Sequence, residues 1–215
     1  MSSDAAAGSR LPIVVLVSGS GSNLQAIIDA AAHDLPVEVR AVVSNRADCL
    51  ALERARRAGI PAVFVDPKAH AHRTAYDAAL AEVIDGFSPG LVVLAGFMRI
   101  LGDDFVRHYQ GRIINIHPSL LPKYRGLDTH ARCLAAGDRE HGATVHFVIP
   151  ELDAGPIILQ ARVPVLPDDT PESLAARVLE QEHQIYPRAI RWFAEGRLAL
   201  RDGVAHLDEE PLTTA

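Results

Sequence analysis

The segment Arg112-Ile113-Ile114-Asn115-Ile116-His117-Pro118 sets an amide and an imidazole two residues apart on an apolar run. In an extended strand that spacing sends both side chains from the same face. An amide and an imidazole N–H on one face are the donors that acyl transfer needs, because the attacked carbonyl becomes an oxyanion that preorganised hydrogen bonds must meet. Neither residue has to become a nucleophile. Asp153, in Glu151-Leu152-Asp153-Ala154-Gly155, stands in a turn that could bring its carboxylate to His117 and relay a proton through water. Taken singly, an Asn-His pair at a strand end is more often satisfying local hydrogen bonds, and Asp before Ala-Gly is an ordinary turn.

A second group of residues suits a phosphate. Ser18-Gly19-Ser20-Gly21-Ser22-Asn23 places two glycines and three hydroxyls where an apolar run gives way to helical spacing. Free backbone N–H groups and the positive end of a helix hold phosphate in such loops. A dinucleotide does not fit: the third glycine of GxGxxG would fall at Leu24, and Ala41, about 20 residues on, is not acidic. A triphosphate loop would need a Lys followed by Ser or Thr after the glycines, and none is there. A monophosphate is the better match, although the loop alone is equally an ordinary tight turn.

Positioning these groups requires strands that end beside them. Leu11–Val17 is a β-branched run that leads into the glycine loop, and Asn23–Ala32 turns helical with Leu24, Ile27 and Ile28 on one face. The pattern continues with strands at Val37–Val43, Pro61–Val65, Leu91–Leu94 and Arg112–Ile116, and helices at Leu50–Ala58 and Thr74–Ile84. Such alternation implies an α/β fold with a doubly wound, mostly parallel sheet. The Pro-containing loop to Gly126, followed by a helix at Thr129–Ala136, would lie at a strand's C-terminal end, where such folds bind ligands. Ala143–Val148 and Pro156–Val163 leave no room for a crossover helix, so they should pair antiparallel and make the sheet mixed. Thr170–Trp192 reads as a last long helix, with Thr170 as cap and Pro171 at its first position. The expected organisation is a flexible leader over 1–10, a single domain over 11–205, and a tail over 206–215 whose acidic part frays from Asp208.

Composition narrows the partners. A formal charge of −6 and an isoelectric point near 5.9 give no broad cationic field, which argues against a nucleic-acid backbone. Cys49 and Cys133 stand far apart with no CxxC pair or neighbouring ligands, which fits free thiols in a reducing compartment and no metal. Met1–Arg10 lacks a signal peptide's apolar core, and no run reaches about 18 apolar residues. The expected setting is the cytoplasm, without a membrane. Either a monomer or a homodimer fits the sequence.

Four motifs occur in order: Ser18-Gly19-Ser20-Gly21-Ser22-Asn23-Leu24, Phe97-Met98-Arg99-Ile100-Leu101, Asn115-Ile116-His117-Pro118-Ser119-Leu120-Leu121-Pro122, and Leu152-Asp153. From about Leu11 to about Leu200 the chain resembles the folate-dependent formyltransferases, and its nucleotide-end motifs resemble those members that act on glycinamide ribonucleotide. The resemblance implies transfer of the formyl group of 10-formyltetrahydrofolate, as co-substrate, to the amine of that nucleotide, with small-molecule substrates and no metal. It implies Asn115, His117 and Asp153 as the catalytic three, with His117 as general acid. It implies Gly21, Ser22 and Asn23 on the substrate phosphate and Glu182 on the ribose hydroxyls. Folate would lie along Met98, Arg99, Ile100, Leu101 and Asn115, with Ile149, Pro150, Glu151, Leu152 and Asp153 around the pterin and Arg73 near the donor's acidic tail.

His146 points toward the same region in the family and ranks below the three. Arg125 and Asp128 depart from the family's commoner proline and histidine. The nearest alternatives are a formyltransferase acting on a charged initiator tRNA or an amino-sugar nucleotide, and a formyl-folate hydrolase. Of these, the tRNA enzyme and the hydrolase are each expected to carry a further domain.

Overall fold

The computed structural model describes residues 10–212. The expected leader lies outside the described residues apart from Arg10, as do the last three residues of the tail.

A seven-stranded sheet runs through the middle of the molecule. Its strands are β1 (Leu11–Val17), β2 (Val37–Ser44), β3 (Ala62–Phe64), β4 (Leu91–Leu94), β5 (Ile113–His117), β6 (Glu140–Phe147) and β7 (Ile157–Pro164), in the spatial order β3-β2-β1-β4-β5-β6-β7. The first five are mutually parallel where they pair, β6 runs antiparallel to β5, and β7 antiparallel to β6. The helices are α1 (Ser22–His33), α2 (Leu50–Arg57), α3 (Arg73–Asp85), α4 (Asp103–His108), α5 (Thr129–Ala136) and α6 (Pro171–Ala194). Strands buried on both faces explain the unbroken apolar runs: Ile13 to Val17 and Leu91 to Val93 are fully inaccessible. Alternate residues feed two cores, with Ile13, Val15 and Val17 in one and Val14 and Leu16 in the other.

The order reverses at β1. The chain winds outward through β2 and β3, then returns to add β4 on the other side of β1. Ligands bind such sheets in the crevice beyond the strand ends at the reversal, so the loops after β1 and β4 are the ones to watch. They are joined: the Ser18 N–H donates to the Gly96 carbonyl at 3.0 Å, and the Met98 N–H donates to Ser18 Oγ at 2.7 Å.

α6 covers one face of the sheet. Leu174, Val178, Ile185, Tyr186, Ala189 and Ile190 form its buried stripe. The Tyr186 hydroxyl donates to the Leu94 carbonyl at 2.7 Å, which fixes the helix to the end of β4. Thr170 caps α6 as the sequence predicts, and Ser173 completes a capping box with it.

Two features differ from the sequence expectation. α4 occupies a segment for which no element was expected; at six residues it is too short to show a periodic pattern. The tail also does not fray at Asp208. Strands β8 (Leu198–Arg201), β9 (Val204–Leu207) and β10 (Glu210–Pro211) form an antiparallel meander. Arg197 donates to both carboxylate oxygens of Asp208 at 2.7 Å, Arg201 pairs with Glu209, and Leu198 and Ala205 are buried in the same core as α6.

Candidate active site

At the nucleotide-side motif, Gly21 takes φ 72° and serves as the N-cap of α1 without any side-chain capping bond. The first N–H groups of α1 are therefore left to an outside acceptor, and the helix dipole favours an anion there. Glycine is needed there for its backbone angle and for the packing of α2. A Cβ at position 21 would stand 2.6 Å from the Ala51 Cβ of α2, in a backbone conformation that L residues avoid.

Asn23 and Glu182 meet at this point. Asn23 Nδ2 donates to Glu182 Oε2 at 2.6 Å, joining α1 to α6. Glu182 is only 7% exposed, so burial raises its pKa, with the Asn23 bond opposing the rise. The Asn23 Oδ1 is buried without a hydrogen-bond partner. The orphaned acceptor and the buried carboxylate suit hydroxyl donors, and the uncapped helix start beside them suits an anion.

The candidate reacting centre lies at the end of β5. Antiparallel pairing sets Asn115 opposite His146 and His117 opposite Thr144. His146 Nδ1 donates to the Phe147 carbonyl at 2.8 Å, which leaves Nε2 as the acceptor that Asn115 Nδ2 meets at 3.2 Å. Burial lowers the His146 pKa, so the ring remains neutral and in that role. One Asn115 N–H is thereby occupied and the other is left for a substrate oxygen. His146, which sequence reasoning ranked below the three, is thus the residue that orients the amide.

His117 is 5% exposed. Its Nε2 donates to the Tyr124 carbonyl at 2.9 Å, and its Nδ1 lies 3.5 Å from Asp153 Oδ2, too far for a good hydrogen bond. Asp153 also approaches His146 Nε2 at 4.0 Å and accepts from the Gly126 N–H at 2.8 Å. Tyr124 (φ 56°) and Asp153 (φ 49°) both hold the left-handed conformation, a strain that side chains carry only where the surroundings impose it. Gly155 lets the Asp153 turn lie against β6, since any Cβ there would strike the Phe147 carbonyl. Sequence reasoning found the carboxylate and the imidazole, but not the Tyr124 carbonyl or the Gly126 N–H. Both are backbone groups, which every residue carries.

A cavity of about 100 Å³ adjoins Asn115, His146 and Asp153, and is also lined by Arg99, Ile100, Leu101 and Ile149 to Leu152. It brings together the segments expected to hold folate, with two exceptions. Met98 is 68% exposed and outside the lining. Arg73 lies in a separate hollow of about 570 Å³ between α3 and α4, together with Asp77 and Gly102. Leu101 and Gly102 are consecutive, so the two spaces adjoin along the chain. Arg99 stacks its guanidinium 4.6 Å over the Tyr76 ring, and its Nε is buried without a partner. Of the two departures from the family pattern, Arg125 pairs with Glu151 at 2.6 Å, and Asp128 (φ 56°) is the N-cap residue of α5. Among the described residues no group of three or more His, Cys, Asp or Glu side chains is arranged to hold a metal.

The formyl transferase family matches residues 11–190. The phosphoribosylglycinamide formyltransferase of Escherichia coli (strain K12) is 57% identical over 201 residues, which cover 93% of this chain and 95% of that one. The structure of the phosphoribosylglycinamide formyltransferase of Coxiella burnetii, in complex with CHES, superposes with a TM-score of 0.92 at 55% identity, covering 95% of this chain and 96% of that one. A formyltetrahydrofolate deformylase from Pseudomonas syringae pv. tomato str. DC3000 superposes with a TM-score of 0.86 at 27% identity, covering 94% of this chain and 67% of that one.

Proposed function

The chain belongs to the formyl transferase family, and from that premise we propose that Asn115, His117 and Asp153 carry its chemistry. The reaction is transfer of the formyl group of 10-formyltetrahydrofolate to the amine of glycinamide ribonucleotide, a step of purine biosynthesis. The products are formylglycinamide ribonucleotide and tetrahydrofolate.

The amine nitrogen attacks the formyl carbon, and the carbonyl oxygen takes the negative charge. The free N–H of Asn115 and, with the ring as imidazolium, the Nδ1–H of His117 are the donors that meet it, because the Nε2–H is already engaged with Tyr124. The proton lost by the amine passes through water held by Asp153 to the folate nitrogen, and the bond from the formyl carbon to that nitrogen breaks. No bond to the protein forms. The observation that carries this assignment is the meeting of Asn115 and Asp153 in the wall of the cavity that Arg99 to Leu101 and Ile149 to Leu152 complete, with His117 Nδ1 behind Asp153 at 3.5 Å from its Oδ2.

The nucleotide phosphate belongs on the Ser22 and Asn23 end of α1, with Gly21 shaping the turn and Glu182 on the ribose hydroxyls. The uncapped helix start and the orphaned Asn23 oxygen support that placement. Arg73, in the hollow beyond Gly102, suits the acidic end of the folate. Purified protein mixed with both substrates releases tetrahydrofolate, followed by absorbance, and omission of either abolishes it. Release without the nucleotide would identify a hydrolase instead.

A further inference from the structure

His117 is held from two sides, and only Asp153 belongs to the chemistry assigned above. On the other side stands the Tyr124 carbonyl, 2.9 Å from Nε2. It points there because Tyr124 is left-handed at φ 56°, a conformation that a bulky residue leaves unless something retains it.

The side chain of Tyr124 is the part that is retained. Its hydroxyl donates to Asp138 Oδ2 at 2.7 Å, and the same oxygen accepts from Lys123 Nζ at 2.7 Å. The bond is charge-assisted, which shows at both ends. The Asp138 carboxylate pushes the Tyr124 phenol up to about 12, and donation from Lys123 and Tyr124 holds Asp138 below the usual carboxylate range. Arg132 lies 5.4 Å over the ring, and His141 meets the ring edge at 6.0 Å. Asp138 follows the left-handed Gly137 that closes α5, and its N–H donates to the Cys133 carbonyl at 3.3 Å. The end of α5 contributes no side chain to the reaction, yet it is connected to the imidazole through one phenol.

We propose that Tyr124 is a positioning residue. Its phenol, anchored on Asp138, keeps the backbone left-handed and aims the Tyr124 carbonyl at Nε2 of His117, so that Nδ1 faces Asp153 and the formyl group. This rests on the reading of His117 as the residue that meets the oxyanion. Freed from its anchor, the backbone relaxes and the imidazole loses its orientation, while the Tyr124 side chain itself lines none of the surfaces assigned to substrate. The loss therefore falls on kcat and not on either KM.

The test uses full-length variants in the two-substrate assay, with melting temperature as the check on folding. Tyr124→Phe and Asp138→Ala each lower kcat about tenfold with both KM values within about twofold. Asp138→Asn, which still offers the phenol an oxygen, regains most of the rate. In a His117→Ala background Tyr124→Phe lowers kcat no further, because its effect passes through that ring. The proposal is overturned if Tyr124→Phe and Asp138→Ala keep the parent kcat, or if Tyr124→Phe costs as much without the imidazole as with it. A His117→Ala protein with the parent rate would show that the reading of His117 itself has failed, and the proposal with it.

Discussion

The two ends of the site are built in opposite ways. The proposed nucleotide end is made of regular elements, the start of α1 against α6, and the groups it offers are mainly backbone N–H groups whose direction the helix sets. The reacting centre is made where two loops meet the end of β5. Its side chains are held by bonds from one loop to the other, Gly126 to Asp153 and Arg125 to Glu151, and by the Tyr124 carbonyl, which turns back to His117 at the end of β5. A site made from a helix end depends on packing, whereas one made from crossed loops depends on orientation. Substitutions at the first should therefore appear as lost stability or lost nucleotide affinity, and at the second as lost turnover.

The largest effect expected is at the loops. His117→Ala and Asp153→Asn should each lower kcat about 100-fold or more, which is about 2.7 kcal/mol of transition-state stabilisation. Each variant should melt within a few degrees of the parent, since neither side chain belongs to the apolar cores. Rates close to the parent's would remove both residues from the chemistry. A collapse in melting temperature would show that the loops, too, depend on packing.

The next effect belongs to the helix end. Gly21→Ala places a methyl group against Ala51 in a left-handed backbone, at a cost of about 1–3 kcal/mol in folding stability. Denaturant titration measures it, and Ala51→Gly in the same chain should recover part of the loss by vacating the contact. If Gly21→Ala leaves stability unchanged and only weakens the nucleotide, the glycine serves phosphate approach and the contrast between the two ends is lost.

What the sequence disclosed follows the same division. Continuous apolar runs marked β1, β4 and β5, and the glycine loop marked the start of α1, because regular elements impose a period or a composition on their residues. Glu182, named through the resemblance, is also legible from spacing: Leu174 and Val178 lie at four-residue steps before it, so a glutamate at the next step faces the sheet rather than water. Burial on that stripe is the observed result. The loop contacts left no such trace. The aim of the Tyr124 carbonyl follows from a single backbone angle, and the partnership of Asn115 with His146 from the pairing register. The turn at Asp208 and Glu209 uses left-handed residues that are not glycine, so the usual punctuation of a hairpin was missing.

Glu182→Gln tests whether the helix end has given up stability for binding. Burial raises the Glu182 pKa above its ordinary value of 4.5, so between that value and the raised one the folded protein binds more protons than the unfolded chain. Stability attributable to this group therefore falls as pH rises through that window, and the penalty is complete above it. The glutamine variant lacks the penalty and should be more resistant to denaturant at pH 8 than the parent, with little difference at pH 4. Its KM for the nucleotide should rise about tenfold through loss of a charged hydrogen-bond partner, about 1.4 kcal/mol, while the folate KM stays put. A less stable variant at pH 8 would mean that the ionised carboxylate is fully compensated by Asn23.

The smallest expected effect probes how the loops are held. Arg125 and Glu151 join the two loops at 2.6 Å, but the side chains are 42% and 68% exposed, and water and salt screen such a pair to about 0.2–1 kcal/mol. The Gly126 N–H bond to Asp153 lies deeper and is part-buried. If that backbone bond and the Tyr124 anchor hold the centre, Arg125→Ala should change kcat and the folate KM by no more than about fivefold, and the difference should vanish in high salt. A loss comparable to that of Asp153→Asn, insensitive to salt, would shift the restraint from the buried bond to the surface pair. The centre would then depend on a contact at the surface, and the loops would be held from outside rather than from beneath.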